Sequence, residues 1–139
     1  DTQRLTESEK MYMEALEIYR RLAKDNPKAY EPDVAATLNN LANLYYKTQR
    51  LTESEKMYME ALEIYKRLAK DNPKAYEPDV AQTLNNLAIL YSDTLRFTES
   101  EKMFMETLEI YKRLAIDNPL KYKPKVERLE QLLNTQEKQ

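Results

Sequence analysis

Residues 48–93 read TQRLTESEKMYMEALEIYKRLAKDNPKAYEPDVAQTLNNLAILYSD, and they repeat residues 2–47 without a gap. The two copies of 46 residues differ at five positions, so 41 positions are identical. A third copy begins at Thr94, follows the pattern as far as Tyr122 and then departs from it. A period in this range indicates pairs of helices that stack on their neighbours, because one pair alone cannot bury its apolar face. Such high identity indicates recent duplication or deliberate consensus construction.

Each copy contains two helical segments. Residues 53–70 carry their apolar side chains within an arc of roughly 160°, which predicts an amphipathic helix. The phrase TESE at 52–55 predicts a capping box at its start, and Asn72-Pro73 predicts its end, because the residue before a proline avoids helical backbone angles. After a loop at 72–77, a shorter helix is predicted to begin near Pro78, since proline is favoured in a first turn.

The pattern predicts one all-α domain over residues 1–139, an α-solenoid of antiparallel helix pairs with about six helices. We divide it into an orphan helix at 7–24, a repeat at 32–72, a repeat at 78–118 and a C-terminal capping helix at 125–136. By this division the first helix has no partner of its own, and we expect one of its apolar faces to be uncovered.

The last helix differs from its counterparts in a way that suits the end of an array. Ala88, a small residue that lets a neighbouring helix approach closely, corresponds to Asn134, and Ala81 corresponds to Glu127. One apolar and one polar face is what a terminal capping helix needs. Ile116 and Leu120 replace lysines of the earlier copies, and we expect both to pack beneath this helix.

The composition narrows the range of functions. The chain has no Cys, no His and no Gly, so it lacks the usual thiolate and imidazole chemistry and any glycine-rich phosphate loop. We therefore predict no catalytic residues, no metal site and no cofactor. The net charge of −2 argues against nucleic acid, and no apolar run approaches the roughly 20 residues that span a bilayer, so neither nucleic acid nor a membrane is an expected partner.

Three stretches carry a family resemblance. Residues 38–45 (LNNLANLY) and 58–62 (YMEAL) resemble the first and second helices of a tetratricopeptide repeat, and residues 78–81 (PDVA) are similar to the kinesin-light-chain branch of that family. The resemblance implies a right-handed superhelix whose concave surface binds peptides. The period of 46 exceeds the family's usual period of about 34, and Ser54 stands where the family prefers Ala.

The turn between the two helices also departs from the family pattern. Gln49, and Leu95 in the next copy, occupy the position where the family has a glycine. If these residues take a left-handed conformation, the strain costs on the order of 1 kcal/mol at each position.

Four of the five differences between the first two copies lie on the shorter helix, along one stripe opposite its apolar face. The resemblance implies that this stripe lines the peptide-binding groove. Asparagine side chains there could donate to and accept from an extended peptide backbone. The alternative is that exposed positions drift freely and the asparagines only cap or bridge helices. The predicted groove residues are Ala36, Asn39, Asn40, Asn43, Tyr46 and Lys47 in one copy and Gln82, Asn85, Asn86, Ile89, Ser92 and Asp93 in the next.

These patterns predict a protein–protein interaction scaffold that binds a peptide or an extended protein segment and is not an enzyme. Two alternatives stay open. One is a structural array that self-associates weakly through the uncovered first helix. The other is an engineered consensus repeat protein without a natural ligand.

Overall fold

The computed structural model describes residues 1–137, with side chains as far as residue 135. This part of the chain forms six α-helices joined by very short connections: α1 (Thr2–Asp25), α2 (Pro27–Lys47), α3 (Leu51–Asp71), α4 (Pro73–Asp93), α5 (Phe97–Asp117) and α6 (Pro119–Glu137). The predicted all-α fold of helix pairs is confirmed. The contacts divide the chain into two compact units, the first from Asp1 to Asp71 and the second from Asn72 onward.

The prediction of a loop at 72–77 and of a short second helix is wrong. Helix α4 begins at Pro73, and the Asn72 side chain caps it by accepting a hydrogen bond from the Ala75 N–H at 3.3 Å. Asparagine as the N-cap and proline as the first helical residue are both strongly favoured, so Asn72-Pro73 ends one helix and immediately starts the next. Pro78 therefore lies inside α4.

The same junction corrects the other predicted helix starts. Helix α2 begins at Pro27 rather than at 32, and α6 begins at Pro119 rather than at 125, each after an asparagine. Helix α1 begins at Thr2 rather than at 7. As a consequence, α2, α3, α4 and α5 all contain 21 residues, and no helix pair combines a long with a short helix.

The turn between α2 and α3 is a Schellman motif. Gln49 has a φ of 63°, and its N–H donates to the Tyr46 carbonyl at 3.1 Å, while the Arg50 N–H donates to the Tyr45 carbonyl at 2.8 Å. These two bonds define the motif, which normally places glycine at the left-handed residue. The predicted capping box at 52–55 is wrong, because α3 starts directly after this turn and the Ser54 N–H bonds to the Arg50 carbonyl.

The turn between α4 and α5 has the same geometry. Leu95 has a φ of 62°, and its N–H and that of Arg96 donate to the carbonyls of Ser92 and Tyr91 at 3.1 and 2.7 Å. Both turn residues therefore take the left-handed conformation that carries the strain cost. Leu95 is also 74% exposed, so its side chain gains little from packing to offset the backbone strain.

In the first unit, α2 packs against both α1 and α3. Its buried face includes Ala35, Leu38 and Ala42, all fully enclosed. The small side chain of Ala42 lets α3 come close enough for the Ser54 hydroxyl to donate to the Ala42 carbonyl at 2.8 Å. The departure from the family's Ala at Ser54 therefore adds a buried hydrogen bond between two helices.

In the second unit, α5 packs against both α4 and α6. The Ser100 hydroxyl donates to the Ala88 carbonyl at 2.8 Å, which repeats the contact of Ser54 in the first unit. The expectation that Ile116 and Leu120 pack beneath α6 is wrong, because they are 81% and 92% exposed. Both residues keep the outward orientation expected for the lysines they replace. Helix α6 instead buries Tyr122 and Leu129.

Candidate functional site

The candidate site in the first unit is the exposed stripe of α2. Helical spacing of three and four residues places Ala36, Asn40, Asn43 and Lys47 along one line, and all four are exposed. Asn39 and Tyr46 flank this line and are half-buried. The buried face of α2 lies on the other side, so the core fixes which side chains of the helix point outward.

The stripe borders a cleft of about 290 Å³ between α1 and α2. Asn40, Asn43 and Lys47 line it from α2, together with Leu44. The opposite wall consists of residues that the sequence-based prediction did not include, namely Leu5, Ser8 and Tyr12 of α1. The sequence held a signal for two of them, because Ser8 and Tyr12 are the counterparts of Ser54 and Tyr58, whose hydroxyls bond to α2.

Asn43 has a structural partner as well as an exposed position. Its Oδ1 accepts a hydrogen bond from the hydroxyl of Tyr58, a side chain that is almost fully buried. Burial raises the pKa of the Tyr58 hydroxyl to about 12, with a smaller contribution from Tyr46. Tyr58 is therefore a permanent donor at neutral pH, and the hydrogen-bonding capacity that Asn43 retains for a ligand is chiefly that of its two amide N–H groups.

Asn39 is less accessible than the prediction assumed. Its Oδ1 is buried and has no hydrogen-bond partner within residues 1–137. Enclosure makes this oxygen unavailable to a ligand that lies along the stripe. Asn40, one residue later and exposed, is the asparagine of the pair that faces the cleft.

Lys47 supplies positive charge at one end of the stripe, and no ion-pair partner for it lies among the described residues. Arg50, the next cation along the chain, is already engaged. Its guanidinium stacks on the Tyr45 ring at 4.3 Å and bonds to Glu9 at 2.9 Å and to Glu53 at 2.7 Å. These contacts hold Arg50 at the turn, so the cleft's accessible cation is Lys47.

The Arg50 cluster also ties α1 to α2. The Tyr45 hydroxyl donates to Glu9 at 3.1 Å, and burial followed by the charge of Glu9 raises the pKa of Tyr45. A neutral Tyr45 hydroxyl can keep donating to the carboxylate, and this fixes the position of α1 beside the stripe.

In the second unit, the corresponding stripe of α4 has a different chemical character. Gln82 is exposed and donates to the Asn86 Oδ1 at 3.3 Å, so part of its polarity is satisfied internally. Ile89 is partly exposed and occupies the position of Asn43. The remaining predicted residues of this stripe are Asn85 and Ser92, which are half-buried, and Asp93, which is exposed.

The replacement of Asn43 by Ile89 is matched by a second replacement. Phe104 of α5 stands at the position of Tyr58, so the second unit has lost both the hydroxyl and the amide that accepts from it. A buried tyrosine hydroxyl needs a partner, whereas phenylalanine needs none. One of the five differences between the copies is therefore linked to the interior of each unit.

In residues 1–137 no helix is long and apolar enough to cross a membrane. The same residues contain no group of three or more acidic side chains arranged to hold a metal ion.

Comparison with known proteins identifies the family. A model of the tetratricopeptide repeat matches residues 33–113, more than half of the chain, and a second tetratricopeptide repeat model matches residues 1–27. The crystal structure of BtubC (BKLC) from P. vanneervenii matches with a TM-score of 0.63 and 24% sequence identity. The match covers 93% of this chain and 47% of that one, so the chain spans about half of the BtubC structure. Curated proteins give no significant match. The chain belongs to the tetratricopeptide repeat family, as residues 38–45 and 58–62 predicted.

Proposed function

We propose that this protein is a non-enzymatic scaffold that binds an extended peptide segment along the exposed stripe of α2. Tetratricopeptide repeats mediate protein–protein interactions, and this supports the general role. The cleft between α1 and α2 supports the specific one. It combines amide groups from Asn40 and Asn43 with the amino group of Lys47, and its apolar part comes from Leu5 and Leu44.

The chemistry of the cleft indicates what the peptide should contain. The Asn40 side chain can both donate to and accept from a peptide backbone, whatever the side chains of that peptide. Lys47 favours an acidic side chain or a terminal carboxylate at the corresponding end. A cleft formed by two packed helices is already in its bound shape, so binding avoids most of the cost of ordering the protein.

The test uses a phage-displayed library of random 12-residue peptides selected against the whole chain. We expect enriched peptides to carry an acidic residue and to bind in a saturable manner by fluorescence anisotropy. The double variant N40A/K47A should weaken their binding about tenfold or more, as for the loss of one hydrogen bond and one charge contact.

Lys56→Ala is the matched control, because Lys56 is an exposed lysine of α3 outside the cleft. It should leave the affinity unchanged. Selection of no saturable binder would refute the proposal, and so would binders that respond to Lys56→Ala and ignore N40A/K47A.

A further inference from the structure

Two apolar side chains protrude at the junction between α5 and α6. Ile116 is 81% exposed and Leu120 is 92% exposed, the highest values among the large apolar side chains of the described residues. They lie on either side of Asn118, the single residue that separates the two helices, so their Cα atoms are at most about 14 Å apart. Single exposed apolar side chains are common, but this apolar pair at one corner points to a contact surface.

The exposure of the apolar pair does not depend on which helix follows. Lys70 and Lys74 hold the same two positions in the preceding copy, and both are exposed although α5 follows α4. Lys24 and Lys28 are likewise exposed in the first copy, where α3 follows α2. A further helix after α6 would therefore leave the apolar pair accessible.

The chain around the apolar pair is basic. Residues 112–125 contain five basic residues and one acidic residue, whereas the corresponding residues 66–79 contain four basic and three acidic residues. The net charge of the stretch is therefore +4, compared with +1 in the preceding copy. The change comes from three lysines that replace an alanine and two acidic residues, namely Lys121, Lys123 and Lys125.

Two of these lysines flank the apolar pair. Along α6, Lys121 and Lys123 lie about 100° and about 60° to either side of Leu120. Both are exposed, and neither has an ion-pair partner among the described residues. Lys125 is half-buried, with its amino group 5.7 Å from the centre of the Tyr111 ring, and it contributes less to the accessible charge.

This arrangement fits a lipid surface better than a protein partner. Protein partners gain most of their affinity from side chains enclosed in well-packed pockets, whereas Ile116 and Leu120 stand out from the corner with little of their surface covered. A bilayer needs no pocket, because apolar side chains enter the boundary between headgroups and acyl chains while neighbouring lysines stay with the headgroups. Each lysine near an anionic bilayer raises the affinity about fivefold.

We propose that the α5–α6 corner, residues 116–123, binds the surface of an anionic membrane. Ile116 and Leu120 enter the interface, and the amino groups of Lys121 and Lys123 contact acidic headgroups. The net charge of −2 for the whole chain argued against a membrane, but it does not reflect this local basic excess. None of these residues lines the cleft between α1 and α2, so the proposal is independent of the peptide-binding function.

A single tryptophan can report on the contact, because the chain has none of its own. Leu120→Trp is mixed, in about 0.1 M salt, with vesicles of phosphatidylcholine that contain about 30% phosphatidylserine. We expect a blue shift of the tryptophan emission and its quenching by brominated acyl chains. Lys74→Trp, at the same position of the preceding copy, is the matched control and should show neither effect. Vesicles of phosphatidylcholine alone should bind about tenfold more weakly or less.

Further variants test the two kinds of side chain by sedimentation with the same vesicles. Lys121→Glu should weaken binding about tenfold or more, because it changes the charge near the surface by two units. Lys102→Glu makes the same change at an exposed site of α5, about 21 Å along the helix from Ile116 and beyond the screening length of about 10 Å. It should leave binding unchanged. I116S/L120S should weaken binding about fivefold or more without changing the urea midpoint.

Several results would overturn the proposal. The chain could fail to sediment with the anionic vesicles, or it could bind phosphatidylcholine alone equally well. Lys74→Trp could respond as strongly as Leu120→Trp, or Lys102→Glu could weaken binding as much as Lys121→Glu. An emission shift of Leu120→Trp with an acidic helical peptide of glutamate, leucine and alanine, and none with vesicles, would assign the corner to a protein partner instead.

Discussion

Glycine at the two left-handed turn residues should stabilise the protein. Gln49 and Leu95 have φ angles of 63° and 62°, where a Cβ atom is crowded by the backbone. The left-handed conformation costs a residue with a side chain about 1–2 kcal/mol. Glycine removes that cost but loses about 0.5–1 kcal/mol in the greater freedom of the unfolded chain. We expect a net gain of about 0.5–1 kcal/mol from each substitution.

Leu95→Gly isolates the backbone strain better than Gln49→Gly does. The Gln49 side chain donates a long hydrogen bond to the Tyr46 carbonyl at 3.5 Å, and Gln49→Gly removes it. Leu95 has no such contact within the described residues and is largely exposed. The gain should appear as a higher urea midpoint by circular dichroism and as a rise in Tm of about 2–4 °C.

Leu95→Ala separates backbone strain from the loss of an exposed leucine. Alanine removes most of the side chain but keeps the Cβ atom, so it should leave the stability unchanged. Leu95→Asn should fall between alanine and glycine, because asparagine tolerates the left-handed region. An equal gain from alanine and glycine would refute the strain argument, and so would no gain from glycine.

Four further outcomes follow from the described contacts. Asn43→Ile should lower the free energy of unfolding by about 1–3 kcal/mol, because it leaves the Tyr58 hydroxyl unpaired. The double variant N43I/Y58F should recover most of this loss. A double-mutant cycle in urea without recovery would contradict the explanation. The pKa of Tyr58 is raised to about 12, so its contribution to stability is complete below pH 10 and is lost as the pH rises towards 12. The free energy of unfolding of the unmodified chain, measured relative to that of Y58F, should be about 1 kcal/mol lower at pH 11 than at pH 9. The same difference at both pH values would refute this effect. Ser100→Ala should cost about 0.5–1.5 kcal/mol in urea unfolding, and an unchanged midpoint would show that the bond to Ala88 contributes nothing. Pro78→Ala should raise the free energy of unfolding by up to about 3 kcal/mol and shift the urea midpoint upward. A lower midpoint would mean that the proline ring packs favourably.

The repeat and its core could be predicted from the sequence because both depend on periodic side chains. Leu38, Ala42 and their counterparts recur at helical spacing, and all of them are enclosed. The helix starts could not be placed correctly because two signals conflicted. Pro78 alone fits the first turn of a helix, but Asn72-Pro73 combines a better cap with a proline that loses no hydrogen bond.

Ile116 and Leu120 show a different limit. An apolar residue in place of a lysine suggests burial, yet both residues are among the most exposed apolar side chains of the described chain. Helical register decides the direction of a side chain, and these positions keep the register of Lys70 and Lys74. The periodic pattern was therefore a better guide than the chemistry of the single residue.

The packing gives different explanations for different substitutions between the copies. The change from Asn43 to Ile89 accompanies the change from Tyr58 to Phe104, which an interior hydrogen bond explains without any ligand. Among the described residues no interior partner explains Lys47, whose charge is opposite to that of Asp93 at the same position. Specificity for a peptide in the α2 cleft should therefore depend more on Lys47 than on Asn43, which the interior already constrains.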